Sequence, residues 1–184
     1  MRFPVIPSRI LHRARSSRLG RFARANEAVA AVEFALIAPP FLALLLAILQ
    51  VGLVFVAQQV LQTATSQAAR LIMTGQAQNS NMTAAQFQQN VCNYATGLFN
   101  CAGIYVNVQT FATFGGVSMT NPVSNGNFNA GAMQYSTGGS GDIVVVQAFY
   151  QWPVYLAPLN FNLSNVGGSY DLIVGTAAFR TEPY

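Results

Sequence analysis

The stretch Ala28–Ala57 reads AVAAVEFALIAPPFLALLLAILQVGLVFVA, and no charged side chain occurs from Phe34 to Ala69. Between Phe34 and Ala57 only Gln50 is strongly polar. At about 1.5 Å rise per residue this run makes roughly 36 Å of helix, against a bilayer core of about 30 Å. A core helix of a soluble domain seldom stays apolar on every face for such a length. The chain is therefore expected to be anchored in a membrane.

Two features set this stretch apart from a generic anchor. Glu33 is the only acid between Glu27 and Asp142, and it sits just inside the apolar run. A carboxylate there is costly unless it stays near the headgroups or meets a cation, so it is either an interfacial residue beside arginines or a functional group. Pro39 and Pro40 follow one to two turns later. Each removes a backbone donor, which predicts a kink or local loosening of the helix.

Charge is distributed very unevenly. Residues 1–27 carry Arg2, Arg9, Arg13, Arg15, Arg18, Arg21 and Arg24 against Glu27, whereas residues 71–184 carry Arg180 against Asp142, Asp171 and Glu182. Arginines flanking a span stay in the cytoplasm, so the amino-terminal side is expected inside and the body outside. A nucleic-acid patch is a poor reading of the leader, because its arginines adjoin a span instead of a folded face. A cleaved secretory signal fits poorly too: the apolar run is too long, and Phe55-Val56-Ala57 places a bulky residue where a small one is needed. Charged residues make up only 8% of the chain, which suits an exported protein better than a cytosolic enzyme. The expected organisation is a basic leader at 1–27, a spanning and projecting helix at 28–75 and an external domain at 76–184.

Within the leader, Ser8–Phe22 either forms a short basic amphipathic helix on an anionic leaflet or takes no fixed structure. His12, the only histidine, lies there with no potential co-ligand nearby in sequence. Beyond the span, Val60, Leu61, Ala64, Ala68 and Leu71 keep a three- and four-residue spacing, and Gly75 reads as a stop, which predicts one helix from about Val29 to about Thr74. Thr83 and Gln86 form a candidate capping box for a second helix over Ala84–Leu98. Alternation of Ile104, Val106 and Val108 with polar neighbours predicts a first strand within Ala102–Phe114. Gly115–Gly141 reads as a long loop, mobile or facing a partner. Asp142–Tyr155, closed by Pro153, and Tyr170–Arg180 complete three strands. The fold class is therefore α+β: a long amino-terminal helix leading into a small domain with a second helix and a three-stranded antiparallel sheet.

Little here can carry catalysis. The domain has no histidine and no lysine, which excludes a Ser-His-Asp set and leaves only a carboxylate pair, formally Asp142 with Asp171, each expected in a solvated turn role. Cys92 and Cys101 either form a disulfide in an oxidising compartment or remain two buried thiols. Without an accompanying histidine they make a poor metal site, and no cofactor is expected. Asn81-Met82-Thr83 and Asn162-Leu163-Ser164 match the glycosylation sequon and are read as chance.

The run from Glu27 through Glu33-Phe34 to Pro39-Pro40, the exit Gln58-Gln59-Val60-Leu61-Gln62 through Arg70, and the ending Phe179–Tyr184 together resemble the TadE-like proteins of the tight adherence (Tad/Flp) pilus system. The resemblance implies a non-enzymatic pseudopilin or minor pilin that helps to assemble an adhesive pilus, with the inner membrane, other Tad components, pilins and a prepilin peptidase as partners. In similar proteins the peptidase cuts so that the fifth residue is Glu and the sixth aromatic. Carried onto this chain, the cut falls between Ala28 and Val29, and Glu33 and Phe34 serve recognition and subunit docking. Processed members usually carry Gly before the cut, where this chain has Ala28. The alternatives are an uncleaved inner-membrane anchor of the secretion apparatus and a membrane-anchored surface adhesin.

Overall fold

A computed structural model describes residues 26–95, 97–155, 164–167 and 169–183, with the side chains of 26–28 excluded. The leader, with its expected helix at 8–22 and His12, lies outside the described residues, as do Asn162 and Leu163 of the second sequon. The chain divides into two compact units, Met1–Leu44 and Leu45–Tyr184.

The first helix, α1, runs Asn26–Met73 and stays helical through Pro39 and Pro40. It ends as the sequence predicts: Gly75 takes a left-handed φ of 76°, and its N–H donates to the Ile72 carbonyl at 3.1 Å. A one-turn helix absent from the sequence reading, α2 (Gln76–Asn79), follows at once. Helix α3 covers Ala84–Tyr94 and starts on the expected capping box, in which the Gln86 N–H donates to Thr83 Oγ1 and the Thr83 N–H donates to Gln86 Oε1. It stops four residues short of the predicted Leu98. Cys92 is bonded to Cys101 with a Cα–Cα separation of 5.4 Å, so the chain must reverse within the nine-residue interval, and Gly97 at φ 91° helps it to turn.

Five strands follow: β1 (Ile104–Phe111), β2 (Val123–Ser124), β3 (Asn127–Phe128), β4 (Ile143–Pro153) and β5 (Tyr170–Arg180). β1, β4 and β5 form the expected antiparallel sheet in the order β1-β4-β5. β4 is central and buried on both faces, which explains its continuous apolar run, Ile143–Val146, in place of alternation. Pro153 ends this central strand without breaking the sheet. β1 pairs only as far as Tyr150, so the missing proline donor falls where β4 has a neighbour on one side alone.

The core lies between one sheet face and the two helices. Ala57, Leu61, Ala64, Ala68 and Ile72 of α1, with Phe87 and Val91 of α3, pack against Ile104, Val106, Val108, Val144, Val146, Ala148 and Ile173. The segment 115–141 does not behave as a free loop. The pair Asn125-Gly126, both at positive φ, turns the β2–β3 hairpin, and Phe128 lies 4.8 Å from Tyr105 and 6.3 Å from Phe149, ring centre to ring centre. Buried Asn107 and Gln147 bond to each other and to Thr120 of the same segment. Residues 134–136 close the outer edge of β1, where the Val108 N–H donates to Gln134 O at 2.8 Å and Ser136 donates back to Val108 O at 2.9 Å. The segment is thus the lid of the second sheet face, held by backbone and amide hydrogen bonds.

Replacing both cysteines with alanine is expected to lower the stability of the Leu45–Tyr184 unit by about 2–3 kcal/mol, the chain-entropy value for so short a loop. Chemical denaturation of oxidised and cysteine-free protein in the same detergent measures it.

Candidate functional site: the apolar helix and its docking face

α1 changes character along its length. Between Val29 and Val56 most of its large apolar side chains are exposed, Phe34 at 74%, Leu36 at 71% and Phe55 at 67%, while Gln50 is buried and Val54 packs against the core. Of its most apolar window only 11% is buried, whereas the core helix of a soluble protein would be mostly buried. The helix is long and apolar enough to cross a membrane. An apolar surface this continuous is untenable in water and marks a membrane or protein contact.

Glu33 and Phe34 are both exposed on this portion, and the Ala28–Val29 peptide lies in the first turn of the helix. Pro39 and Pro40 sit within α1, so the carbonyls one turn earlier, of Ala35 and Leu36, lack their helical donors. In such a span those two acceptors are a cost unless another group reaches them.

From Ala57 onward the face that Gln50 and Val54 begin is fully buried, and its small residues let it approach the sheet closely. The closest approach is at Gly175, where a Cβ would collide with Thr65 Oγ1 and stand 2.8 Å from the Leu61 carbonyl oxygen. Two glutamines flank this crossing. Gln58 Nε2 donates to Val174 O at 2.6 Å, and the Val174 N–H returns a bond to Gln58 Oε1 at 3.3 Å. Gln62 does the same with Thr176, at 2.8 and 2.9 Å. Four helical residues and two strand residues have nearly the same rise, about 6 and 6.6 Å, so an i, i+4 glutamine pair matches successive outward-facing peptides of an edge strand. The side-chain amides stand in for a fourth strand and seal the β5 edge. Asn165 Oδ1 extends the seal by accepting from the Leu172 N–H at 2.7 Å. Farther along, the Glu182 N–H donates to the Met73 carbonyl at 2.9 Å and satisfies one of the free acceptors at the end of α1.

Sequence reading missed the role of Gln58 and Gln62. Their four-residue spacing beside the buried positions Ala57 and Leu61 is the signal that carried it. Gln58→Leu or Gln62→Leu is expected to cost about 1–3 kcal/mol by leaving a part-buried peptide unpaired, and the double variant is expected to expose the β5 edge. Amide hydrogen exchange at Val174 and Thr176 reports this directly.

The carboxylates do not converge. Asp142 precedes the end of β4 that pairs with Arg180, and its Oδ2 accepts from the Gly139 N–H at 2.8 Å, a turn role as expected. Asp171 pairs with Trp152 at the opposite end, about 30 Å away along the strand. Burial raises the Asp171 pKa above the usual carboxylate value and pushes the Tyr135 phenol to about 12. Among the described residues no cluster of three or more His, Cys, Asp or Glu side chains forms a metal site.

Residues 28–70 match the TadE-like protein family. The TadE-like segment covers both the exposed half of α1 and the docking half with Gln58 and Gln62, and it implies a component associated with the Tad pilus, in a family of structural and accessory pilus proteins. The sheet lies beyond the matched residues. No curated protein and no solved structure matches the chain.

Proposed function

We propose that the protein is a non-enzymatic, pseudopilin- or minor-pilin-like component that assembles an adhesive Tad (Flp) pilus. Residues 1–27 form a cytoplasmic leader, 28–75 the spanning and docking helix, and 76–184 a periplasmic α+β domain. The observation that carries this reading is the change along α1 from near-complete exposure over Val29–Leu42 to burial of one face, which begins at Gln50 and Val54 and is complete from Ala57. One half is free for lipid, and then for the spans of neighbouring subunits; the other half is fixed to its own domain.

Glu33 and Phe34 serve recognition. A prepilin peptidase that cuts between Ala28 and Val29 needs to open only the first helical turn, whose N–H groups have no helical acceptors in any case. The freed α-amino group of Val29 then pairs with Glu33 of a neighbouring subunit, which removes the cost of a lone carboxylate in lipid. Ala28, standing where processed relatives usually carry Gly, favours a second reading: an uncleaved anchor of the same apparatus.

Orientation is tested with a reporter enzyme active only in the periplasm. Fused after the domain it is expected to be active, and fused before the leader inactive. Activity at the amino-terminal position alone would overturn the proposed topology.

A further inference from the structure

We infer that the α1-entry end of the domain carries an aromatic foot that rests in the headgroup zone of the bilayer crossed by α1. The inference rests on the reading of α1 as a membrane span. Three contacts fix how β5 lies along α1 within the Leu45–Tyr184 unit: Val174 at Gln58, Thr176 at Gln62 and Glu182 at Met73. Strand and helix therefore run in the same direction and nearly in step. Tyr170 lies four residues before Val174, about 13 Å toward the helix start, which equals about nine helical residues and reaches the level of Leu49. A bilayer core of about 30 Å takes about 20 residues, so a span beginning at Phe34 ends near Leu53. The start of β5 thus lies within about 6 Å of the outer boundary of the lipid, on its inner side.

The side chains at that level suit the boundary. Trp152 pairs in register with Asp171, next to Tyr170. Phe99 packs edge-on against Tyr150 and Trp152, at centroid distances of 4.9 and 6.0 Å. Tyr155 is 77% exposed and Tyr170 43% exposed at this end. Tyrosine and tryptophan favour the headgroup layer because each has an apolar body and a polar tip. Charge does not drive the contact: Arg180 lies at the far end of the sheet, and the foot carries Asp171 as its only described ionised group. The occupant is the interface of a bilayer whatever its headgroup charge.

Trp152 is the only tryptophan of the chain, so it reports by its own fluorescence. The full chain is reconstituted in phosphatidylcholine vesicles with nitroxide quenchers at the headgroup or deep in the acyl chains. A spin-labelled Leu45→Cys variant measures the depth of the span separately. The expected result is Trp152 quenching by the headgroup label over the deep label, unchanged by added phosphatidylglycerol and reduced in Tyr155→Ser/Tyr170→Ser. A deep Leu45 label with Trp152 unquenched by either probe would overturn the foot while leaving the span intact, and would give the aromatic rim to a second copy. A Leu45 label outside the lipid would remove the span and the foot together.

Discussion

Gly175→Val is expected to detach the docking half of α1 from the sheet. A valine has a higher strand propensity than glycine, so β5 alone would gain from the change. The loss comes wholly from the crossing: the new Cβ meets Thr65 Oγ1 and stands 2.8 Å from the Leu61 carbonyl, a backbone atom that cannot rotate away. Overpacking of this kind costs about 1–3 kcal/mol and sometimes more, and here it also pulls Gln58 and Gln62 off their peptides. Domain stabilities are about 5–15 kcal/mol, so the expected loss is a large part of the total. Thermal unfolding in detergent, with limited proteolysis after Gly75, reads the effect. Adding Thr65→Ala is expected to restore only part of the stability, because the Leu61 carbonyl remains. Wild-type melting of Gly175→Val would show that helix and sheet are not held at this point.

Glu33→Gln is expected to abolish pili while the protein still accumulates in the membrane. Neutralising an acid near the start of a span makes insertion easier by up to about 3 kcal/mol, so failed insertion cannot explain a loss of pili. The glutamine keeps the shape of the side chain and loses only the charge that a neighbouring α-amino group would meet. Electron microscopy of cells, with immunoblots of membrane fractions as the control for abundance, measures both quantities. Normal piliation would remove Glu33 from assembly and favour a simple anchor or an anchored adhesin.

The features legible in sequence were those set by local pattern. The apolar run announced α1, Thr83 with Gln86 announced α3, and the apolar spacing of Tyr170–Arg180 gave β5 its observed limits. What escaped depended on distant partners. Gln58 and Gln62 look like ordinary polar helix positions until a strand more than a hundred residues later lies beside them. The hairpin was a different kind of omission: Asn125-Gly126 between Val123-Ser124 and Asn127-Phe128 is a local signal, hidden by the glycine- and asparagine-rich surroundings. The lid role of 115–141 was invisible because its anchors carry no local signal: Asn107 reads as a polar neighbour in an alternating strand, and Gln147 is one amide in an apolar run. Of the candidate site, the span, Glu33 and the prolines were legible. The docking face was not, since its meaning lies in contact with the sheet.

The intact mass of protein purified from membranes, with and without the host's prepilin peptidase, tests the pilin reading most directly. A species beginning at Val29 only when the peptidase is present is the predicted result, and it places Glu33 at the fifth position of a mature subunit. A chain that keeps its arginine leader in both strains would contradict processing and leave a permanent anchor of the pilus apparatus.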